Sequence, residues 1–218
     1  MAMAISNRDV AGARFCAAQF DGPWKASIGC PELRGSWLVY GTSGSGKTTF
    51  ALMLAKYLSS FKKVAYDTLE QGLSLSFQNA WLRCGMPEAG SGIYVLDKES
   101  VSELRCRLGK RKSPSVIIID SLTCLPGFSR KDYVNLLGDF PDKLFIFIAH
   151  ESKGHPHPSI AETVLRLSEV KIHVVGYRAC ITSRYAVPER GEGGEDFIIW
   201  EKGDAEYRAS MTMNNQNF

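Results

Sequence analysis

The segment from Gly41 to Thr48 places the strongest constraint on the fold of this chain. It reads G-x-x-x-x-G-K-T, it follows the apolar run 37–40, and apolar residues then recur at helical spacing from Phe50 to Leu58. Glycines let successive backbone N–H groups face one anion, and the N-terminus of the following helix adds positive potential. The pattern predicts a strand, a phosphate-binding loop and a helix, and therefore a site for a nucleoside triphosphate.

Two further features of this segment predict a magnesium site. The Lys47 amine is expected to reach the β and γ phosphates, and the Thr48 hydroxyl to coordinate Mg²⁺. Asp120 ends the apolar run 116–119, so it should lie at the end of a buried strand beside the loop and hold Mg²⁺ with Thr48. The predicted nucleotide-binding residues are Gly41, Thr42, Ser43, Gly44, Ser45, Gly46, Lys47, Thr48 and Thr49.

Composition bounds the class of protein. The chain has 218 residues, of which 44% are hydrophobic, and this suits one packed α/β domain. A net charge of +3 permits contact with nucleic acid without arguing for it. The six cysteines are scattered, which favours reduced thiols over disulfides or structural zinc. No apolar run has the length of a membrane span and the N-terminus lacks a signal-like apolar core, so we expect a cytoplasmic protein without a membrane partner.

Apolar strand-like runs alternate with helical patterns along most of the chain. Continuous apolar runs predict buried strands at 64–67, 93–96, 116–120 and 144–149, with helices over 72–84 and after a capping box at Ser100. This alternation predicts a mostly parallel sheet flanked by helices. Three strand-like segments after Lys171 have no helix between them, and they predict an antiparallel C-terminal extension. We divide the chain into an N-terminal arm or lead-in packed on the core (1–34), a core (35–208) and a polar tail (209–218).

Polar residues at the ends of the predicted strands are candidates for the chemistry. Glu70 follows the second strand, where a carboxylate can orient and deprotonate the water that attacks the γ-phosphate. Asp67 competes for this role, although an Asp at a strand end often only forms a turn, so we favour Glu70. His150 ends the strand 144–149 and is expected to sense the γ-phosphate. The alternatives for His150 are a strand cap or a contact with nucleic acid.

The order of these motifs resembles the RecA-like ATPase core. The phosphate loop, Glu70, VIIIDS at Asp120 and FIFIAH at His150 follow one another as in that family, and the resemblance spans 35–207. The segment T-S-R-Y at 182–185, followed by F-I-I-W-E-K-G at 197–203, is similar to a C-terminal segment of RadA-type recombinases. DnaB-type helicases carry a similar hairpin, and the chain resembles the small phage and mobile-element ATPases that are nearly bare cores.

The resemblance implies several functional assignments. ATP and Mg²⁺ would be the cofactors, and subunits would assemble in a ring or filament with sites between them. Arg184 would be an arginine finger acting on ATP held by a neighbour. Thr182 stands where the family has a lysine, and Arg178 or Lys171 could replace it.

The resemblance also implies single-stranded DNA along the loops after the Asp120 and His150 strands, 122–143 and 151–161. Basic residues there would contact phosphates and aromatic residues would stack on bases, and an ordinary polar loop is the alternative. The named positions are Arg130, Lys131, Lys153 and His155, with His157 beside them and Phe128 or Tyr133 for stacking.

Two short segments have less specific interpretations. For the basic run 110–112, cations that complement a helix C-terminus are favoured over a nucleic-acid patch. Phe15 to Ala18 matches the F-x-x-A element by which some recombinases dock on a neighbour, but packing of an N-terminal helix is favoured.

The sequence therefore predicts a Mg²⁺-dependent ATPase that acts on DNA in recombination, single-strand annealing or replication, with DNA-processing proteins as further partners. Two alternatives remain. One is an ATP-gated scaffold or loader with little turnover. The other is a small nucleotide kinase, which would carry an arginine-rich lid that we do not find in the sequence.

Overall fold

A computed structural model describes residues 4–215, which form one mixed sheet with helices on both faces. The strands within this part are β1 Gly35–Gly41, β2 Val64–Thr68, β3 Ile93–Leu96, β4 Val116–Asp120, β5 Leu144–Ser152, β6 His155–His157, β7 Val170–Val175, β8 Arg178–Ser183 and β9 Phe197–Ile198. The α-helices are α1 Asn7–Gly12, α2 Gly22–Ile28, α3 Lys47–Leu58, α4 Leu75–Arg83, α5 Val101–Leu108, α6 Arg130–Asp139, α7 Ser159–Leu167 and α8 Glu201–Asn215.

The centre of the sheet is parallel. The strand order is β3-β2-β4-β5-β1-β7-β8-β9, and β1, β2, β3, β4, β5 and β7 pair in parallel. Every residue of β2 and β4 is buried, as expected for strands covered by helices on both faces. The carboxyl ends of the parallel strands meet at one edge, which is where ligands bind in such sheets. The predicted mostly parallel sheet is confirmed.

The antiparallel extension begins one strand later than the sequence suggests. Helix α7 precedes β7, so β7 joins the parallel part beside β1. Strands β8 and β9 then complete the edge in antiparallel pairing.

The N-terminal residues divide into an exposed part and a packed part. Trp24 and Ile28 of α2 are buried in the core cluster on the α3 face of the sheet. Helix α1 buries no residue. Phe15 follows α1 in an extended segment and is 65% exposed, so the favoured interpretation of the segment 15–18, packing of an N-terminal helix, is wrong.

Helix α8 changes the expectation for the C-terminus. The sequence predicts a polar tail over 209–218, but its residues up to Asn215 continue this helix. The i,i+4 pairs Arg208–Asp204 and Lys202–Glu206 support its first turns. The rest of the predicted tail, 216–218, lies outside the described residues.

The two segments expected as DNA-binding loops contain regular structure, so this prediction is wrong in its form. The segment 122–143 holds α6, whose start is fixed by a capping box between Ser129 and Asp132. The segment 151–161 holds the tight hairpin between β5 and β6. Phe128 and Tyr133 are buried in the core, and the Tyr133 hydroxyl lies 2.6 Å from Ser36 Oγ. They are therefore not available to stack on bases.

No helix in the described part of the chain combines the length and the apolar character that crossing a membrane would require.

Candidate nucleotide-binding and hydrolysis site

The phosphate loop joins β1 to α3 at the carboxyl edge of the sheet. Gly46 takes a φ of 105° immediately before α3, in the left-handed region that favours glycine. The first α-helical hydrogen bond of α3 runs from Phe50 N to Gly46 O, so the N–H groups of the first turn remain available to an anion. A Cβ at Gly41 would lie 2.2 Å from Val174 O, so only glycine fits between the loop and β7.

Side chains within the loop favour an anionic ligand. Lys47 is 8% exposed, and its amine donates a hydrogen bond to Thr42 O at 2.7 Å. Burial lowers the pKa of Lys47, while the nearby carboxylates, Asp120 first, act in the opposite direction. The hydroxyl of Ser45 is buried and has no hydrogen-bond partner among the described residues. A phosphate oxygen would satisfy this hydroxyl, so the loop fits a nucleoside triphosphate.

Asp120 lies beside the first turn of α3. Its Oδ2 accepts a hydrogen bond from the Tyr66 hydroxyl at 2.6 Å, and the Thr48 hydroxyl is 3.4 Å from the same oxygen. Burial raises the pKa of Asp120 to about 6, although the Tyr66 hydrogen bond favours the ionised form. The carboxylate and the Thr48 hydroxyl are the hard oxygen ligands that Mg²⁺ prefers, so this pair fits the expected ion. Among the residues described, no group of three His, Cys, Asp or Glu forms a metal site.

Glu70 is held between two neighbouring strand ends. Its Oε2 accepts hydrogen bonds from Ser121 Oγ and from His150 Nε2, each at 3.0 Å. Its backbone N–H donates to Asp120 O at 2.9 Å, which fixes the start of the segment after β2. With the carboxylate as acceptor, the proton of neutral His150 is on Nε2. The structure thus brings Glu70 and His150 together beside Asp120.

Asp67 points away from this group. Its side chain is buried and accepts a hydrogen bond from Glu99 N at 3.2 Å, before α5. Burial raises its pKa to about 7, with the Glu99 charge adding to the effect and backbone hydrogen bonds opposing it. Asp67 therefore organises the segment before α5, and the geometry favours Glu70 for contact with water at the nucleotide.

Arg184 is remote from the phosphate loop of its own chain. Strand β8 runs antiparallel to β7, so its end at Ser183 lies at the sheet edge opposite the loop. The guanidinium is 59% exposed and forms an ion pair with Glu169 at 3.5 Å. Arg178 is bound by Asp204 at 2.7 Å and by Asp196 at 3.2 Å. Lys171 lies opposite Thr182 in the register of β7 and β8 and has no ion pair in the described part.

The predicted DNA-contacting residues are exposed, but they form two separate groups. Arg130 and Lys131 begin α6, and Lys153 and His155 belong to the β5–β6 hairpin. Lys153 takes a φ of 52° at the tip of that hairpin. His157 pairs with His150 across it, so the hairpin is attached directly to the strand end that contacts Glu70.

Comparison with known proteins agrees with this geometry. The family model "ATPase family associated with various cellular activities (AAA)" matches residues 37–153. The chain belongs to this AAA family. The matched part of the AAA domain runs from β1 to the tip of the β5–β6 hairpin, and so includes the phosphate loop, Asp120, Glu70 and His150. No curated protein matches the chain in sequence.

Solved structures resemble this AAA protein in fold. The ATPase domain of a DnaB-family helicase matches with a TM-score of 0.53 and 17% identity, over 80% of this chain and 84% of that one. The flagellar accessory protein FlaH from Methanocaldococcus jannaschii matches with a TM-score of 0.51 and 13% identity, over 74% of this chain and 82% of that one. Identities this low carry the fold alone. The RecA-like P-loop ATPase fold predicted from the motif order is confirmed.

Sequence reasoning missed several residues around the AAA site. The sequence places Tyr66 only in a strand, yet its buried hydroxyl positions Asp120. A tyrosine in a fully buried strand needs a partner for its hydroxyl, and this was the available signal. Tyr177 N donates to Ser45 O at 3.0 Å, so the β7–β8 turn supports the phosphate loop. Tyr177 and Trp200 also line a cavity of about 560 Å³ that includes Thr49 and Arg83. No sequence motif indicated this cavity.

Proposed function

We propose that this protein is a Mg²⁺-dependent ATPase that acts on DNA, in recombination, single-strand annealing or replication. The observation that carries the proposal is the position of Glu70, which Ser121 and His150 hold beside Asp120 and the phosphate loop. A carboxylate held at this distance from the nucleotide edge can orient water and accept its proton. The six free cysteines fit a reducing cytoplasm as the place of action.

The residues of the loop have distinct roles in this proposal. Lys47 would neutralise the β and γ phosphates, and Thr48 and Asp120 would hold Mg²⁺, which would offset negative charge on the phosphates. His150 contacts Glu70 and would move when a γ-phosphate competes for its Nε2 proton, so it would report the nucleotide state. The cavity beside Thr49 would receive the base, with the rings of Tyr177 and Trp200 as apolar walls.

Assembly into a ring or filament is supported by two surfaces. Arg184 is exposed at the edge opposite its own loop, so it can contact only a nucleotide held by another subunit. Lys171, next to Thr182, is the residue that would replace the missing family lysine, because Arg178 is already bound by two aspartates. The exposed Phe15 in its extended segment is a second candidate contact between subunits.

DNA is assigned to the exposed cations at the carboxyl edge of the sheet. Lys153 and His155 on the β5–β6 hairpin and Arg130 and Lys131 on α6 would neutralise phosphates of a single strand. The hairpin is continuous with His150, which gives a direct path from DNA contact to the Glu70 carboxylate.

The test is ATP turnover measured with and without Mg²⁺, single-stranded DNA, duplex DNA and small phosphoryl acceptors. We expect turnover that requires Mg²⁺, rises with single-stranded DNA and is lost in Lys47→Ala, because the desolvated triphosphate loses its cation. Phosphoryl transfer to a nucleoside or nucleotide would establish the kinase instead. Nucleotide binding with no turnover under any condition would establish the scaffold or loader.

A further inference from the structure

Two basic loops meet at the edge of the sheet opposite the nucleotide site. Lys62 and Lys63 precede β2, and the turn 110–112 precedes β4, the strand that pairs in parallel with β2. Backbone hydrogen bonds join the loops, since Ser115 N and Val116 N both donate to Lys63 O, at 3.0 and 3.1 Å. We call Lys62, Lys63, Lys110, Arg111 and Lys112 the basic face.

The positive charge of the protein is concentrated on this face. All five side chains belong to exposed residues, and none of them forms an ion pair in the described part of the chain. The formal net charge is +3, so the chain without these five cations carries −2. The nearest arginines of α5 are already neutralised, Arg105 by Asp139 and Arg107 by Glu99. Uncompensated like charges repel each other, and they indicate an external anion.

The C-terminus of α5 does not explain the basic turn. A helix C-terminus attracts cations only within its last turn, and that turn already contains Arg105 and Arg107. The helix ends at Leu108, and Lys110 to Lys112 lie beyond it. The sequence alone favours the helix explanation because it cannot show that Lys62 and Lys63 lie beside this turn.

The turn is held in a fixed conformation. Ser113 N donates to Lys110 O at 3.2 Å, and Lys112 takes a φ of 67°, a region that lysine rarely adopts. The buried Lys143 amine donates to Ser113 Oγ at 3.0 Å and to Pro114 O at 2.9 Å. A basic surface that is already ordered loses less entropy when it binds.

An aromatic residue lies beside the cations. Tyr94 on the edge strand β3 is half-buried, and it lines a cavity of about 330 Å³ together with Lys110, Arg111 and Lys112. A groove that combines cations with an exposed aromatic ring suits a single strand, whose bases are free to stack. A membrane surface would need apolar side chains beside the cations, and the large exposed hydrophobic residues of the described chain lie outside both loops.

We propose that the basic face, with Tyr94, is a binding surface for single-stranded DNA, separate from the proposed contacts on α6 and the β5–β6 hairpin. This surface lies at the amino ends of the parallel strands, whereas the phosphate loop lies at their carboxyl ends. Binding here is therefore independent of the nucleotide. The choice of DNA as the polyanion agrees with the proposed function but does not depend on ATP hydrolysis.

The test measures the affinity for a fluorescent single-stranded oligonucleotide without nucleotide, over a series of salt concentrations. The variant replaces Lys62, Lys110 and Arg111 by glutamine. The control replaces Arg166, Arg190 and Lys202, which are exposed cations on other surfaces, and it makes the same change in net charge. We expect the first variant to raise Kd about tenfold and to reduce the slope of log K against log salt by about 2, since each lost phosphate contact on a single strand contributes about 0.7. The control should bind as the wild type does.

A second pair of variants tests stacking. Tyr94→Leu should weaken binding about tenfold, while Tyr94→Phe should retain it, because a phenyl ring still stacks on a base. Circular dichroism checks that both variants are folded. Unchanged affinity and slope in the triple variant, equal losses in the control, or tighter binding of duplex than of single-stranded DNA would overturn the proposal. Loss of DNA-stimulated turnover in an Arg130 and Lys153 variant, with nucleotide-free binding intact, concerns the proposed function alone.

Discussion

Asp67 and Asp120 show how neighbouring residues of one sheet acquire different properties from their surroundings. Both carboxylates are buried, and burial raises the pKa of each. Asp120 is hydrogen-bonded by Tyr66 and lies beside Lys47, which keeps it ready for a cation. Asp67 is bonded to the backbone before α5 and faces no cation that would pair with it in the part of the chain that the structure describes. The first carboxylate therefore serves the ligand and the second serves the fold.

The raised pKa of Asp67 predicts a pH dependence of stability. Its pKa is about 7 in the folded protein and near 3.8 when unfolded, so between these values the folded state holds more protons. The free energy of unfolding of the wild type should therefore fall, relative to Asp67→Asn, as the pH rises from 4 to 7, and the difference should be constant above that range. The total change is at most roughly 4 kcal/mol, at about 1.4 kcal/mol for each pKa unit.

Urea unfolding of the two proteins at several pH values measures this difference. In Asp67→Asn the oxygen of the new side-chain amide can still accept the hydrogen bond from Glu99 N, so the comparison isolates the charge. A difference that does not vary with pH would show that Asp67 titrates as it does in the unfolded chain.

At the scale of secondary-structure elements, the site depends on three strand ends. Strands β2, β4 and β5 are adjacent and parallel, so Glu70, Ser121 and His150 follow at the same edge. Each residue is placed by the end of its strand, and the hydrogen bonds between them fix the Glu70 carboxylate. The β5–β6 hairpin extends the third of these strands away from the sheet.

This arrangement predicts separate effects on binding and chemistry. Glu70→Gln should bind ATP with wild-type affinity but lower kcat by about 10²- to 10⁴-fold, because proton transfer to the carboxylate occurs only in the reaction. Binding of a fluorescent ATP analogue and steady-state turnover measure the two quantities. Asp67→Asn is the matched control and should retain most of kcat. The opposite result, loss of turnover in Asp67→Asn alone, would show that the reaction depends on Asp67 and not on Glu70.

At the scale of the whole molecule, the functional groups lie on two opposite edges of the sheet. The carboxyl edge carries the phosphate loop, Glu70 and His150. The amino edge carries the basic face and the end of β8 with Arg184. A molecule divided in this way cannot bring Arg184 to its own nucleotide, so the ATP site would be complete only when two copies meet.

Mixing two inactive variants tests this division. Arg184→Ala should bind ATP but lose about 10³-fold or more in kcat, because an arginine finger meets charge that develops in the transition state. When it is mixed with Glu70→Gln in equal amounts, roughly a quarter of the interfaces regain both groups and turnover should return in part. A fully active monomer, or no recovery although the two variants co-assemble, would exclude the role in trans.

The sequence by itself determined the phosphate loop, the parallel centre of the sheet and the place of Asp120, because these depend on local chemistry. Glycines that permit a turn, apolar runs that must be buried and a carboxylate at a strand end are all readable within a few residues. Glu70 was preferred to Asp67 on the same local grounds, and the family fold followed from the order of the motifs.

Only the tertiary structure decided which distant residues meet. Tyr66 bonds to Asp120 and Glu70 to His150 across strands that are far apart in the chain. Phe128 and Tyr133 look available in the sequence, yet the packing of α6 buries them. Lys63 lies beside the turn 110–112 because β2 pairs with β4. Such contacts are fixed by strand order and by packing of the two faces, and no local pattern encodes strand order.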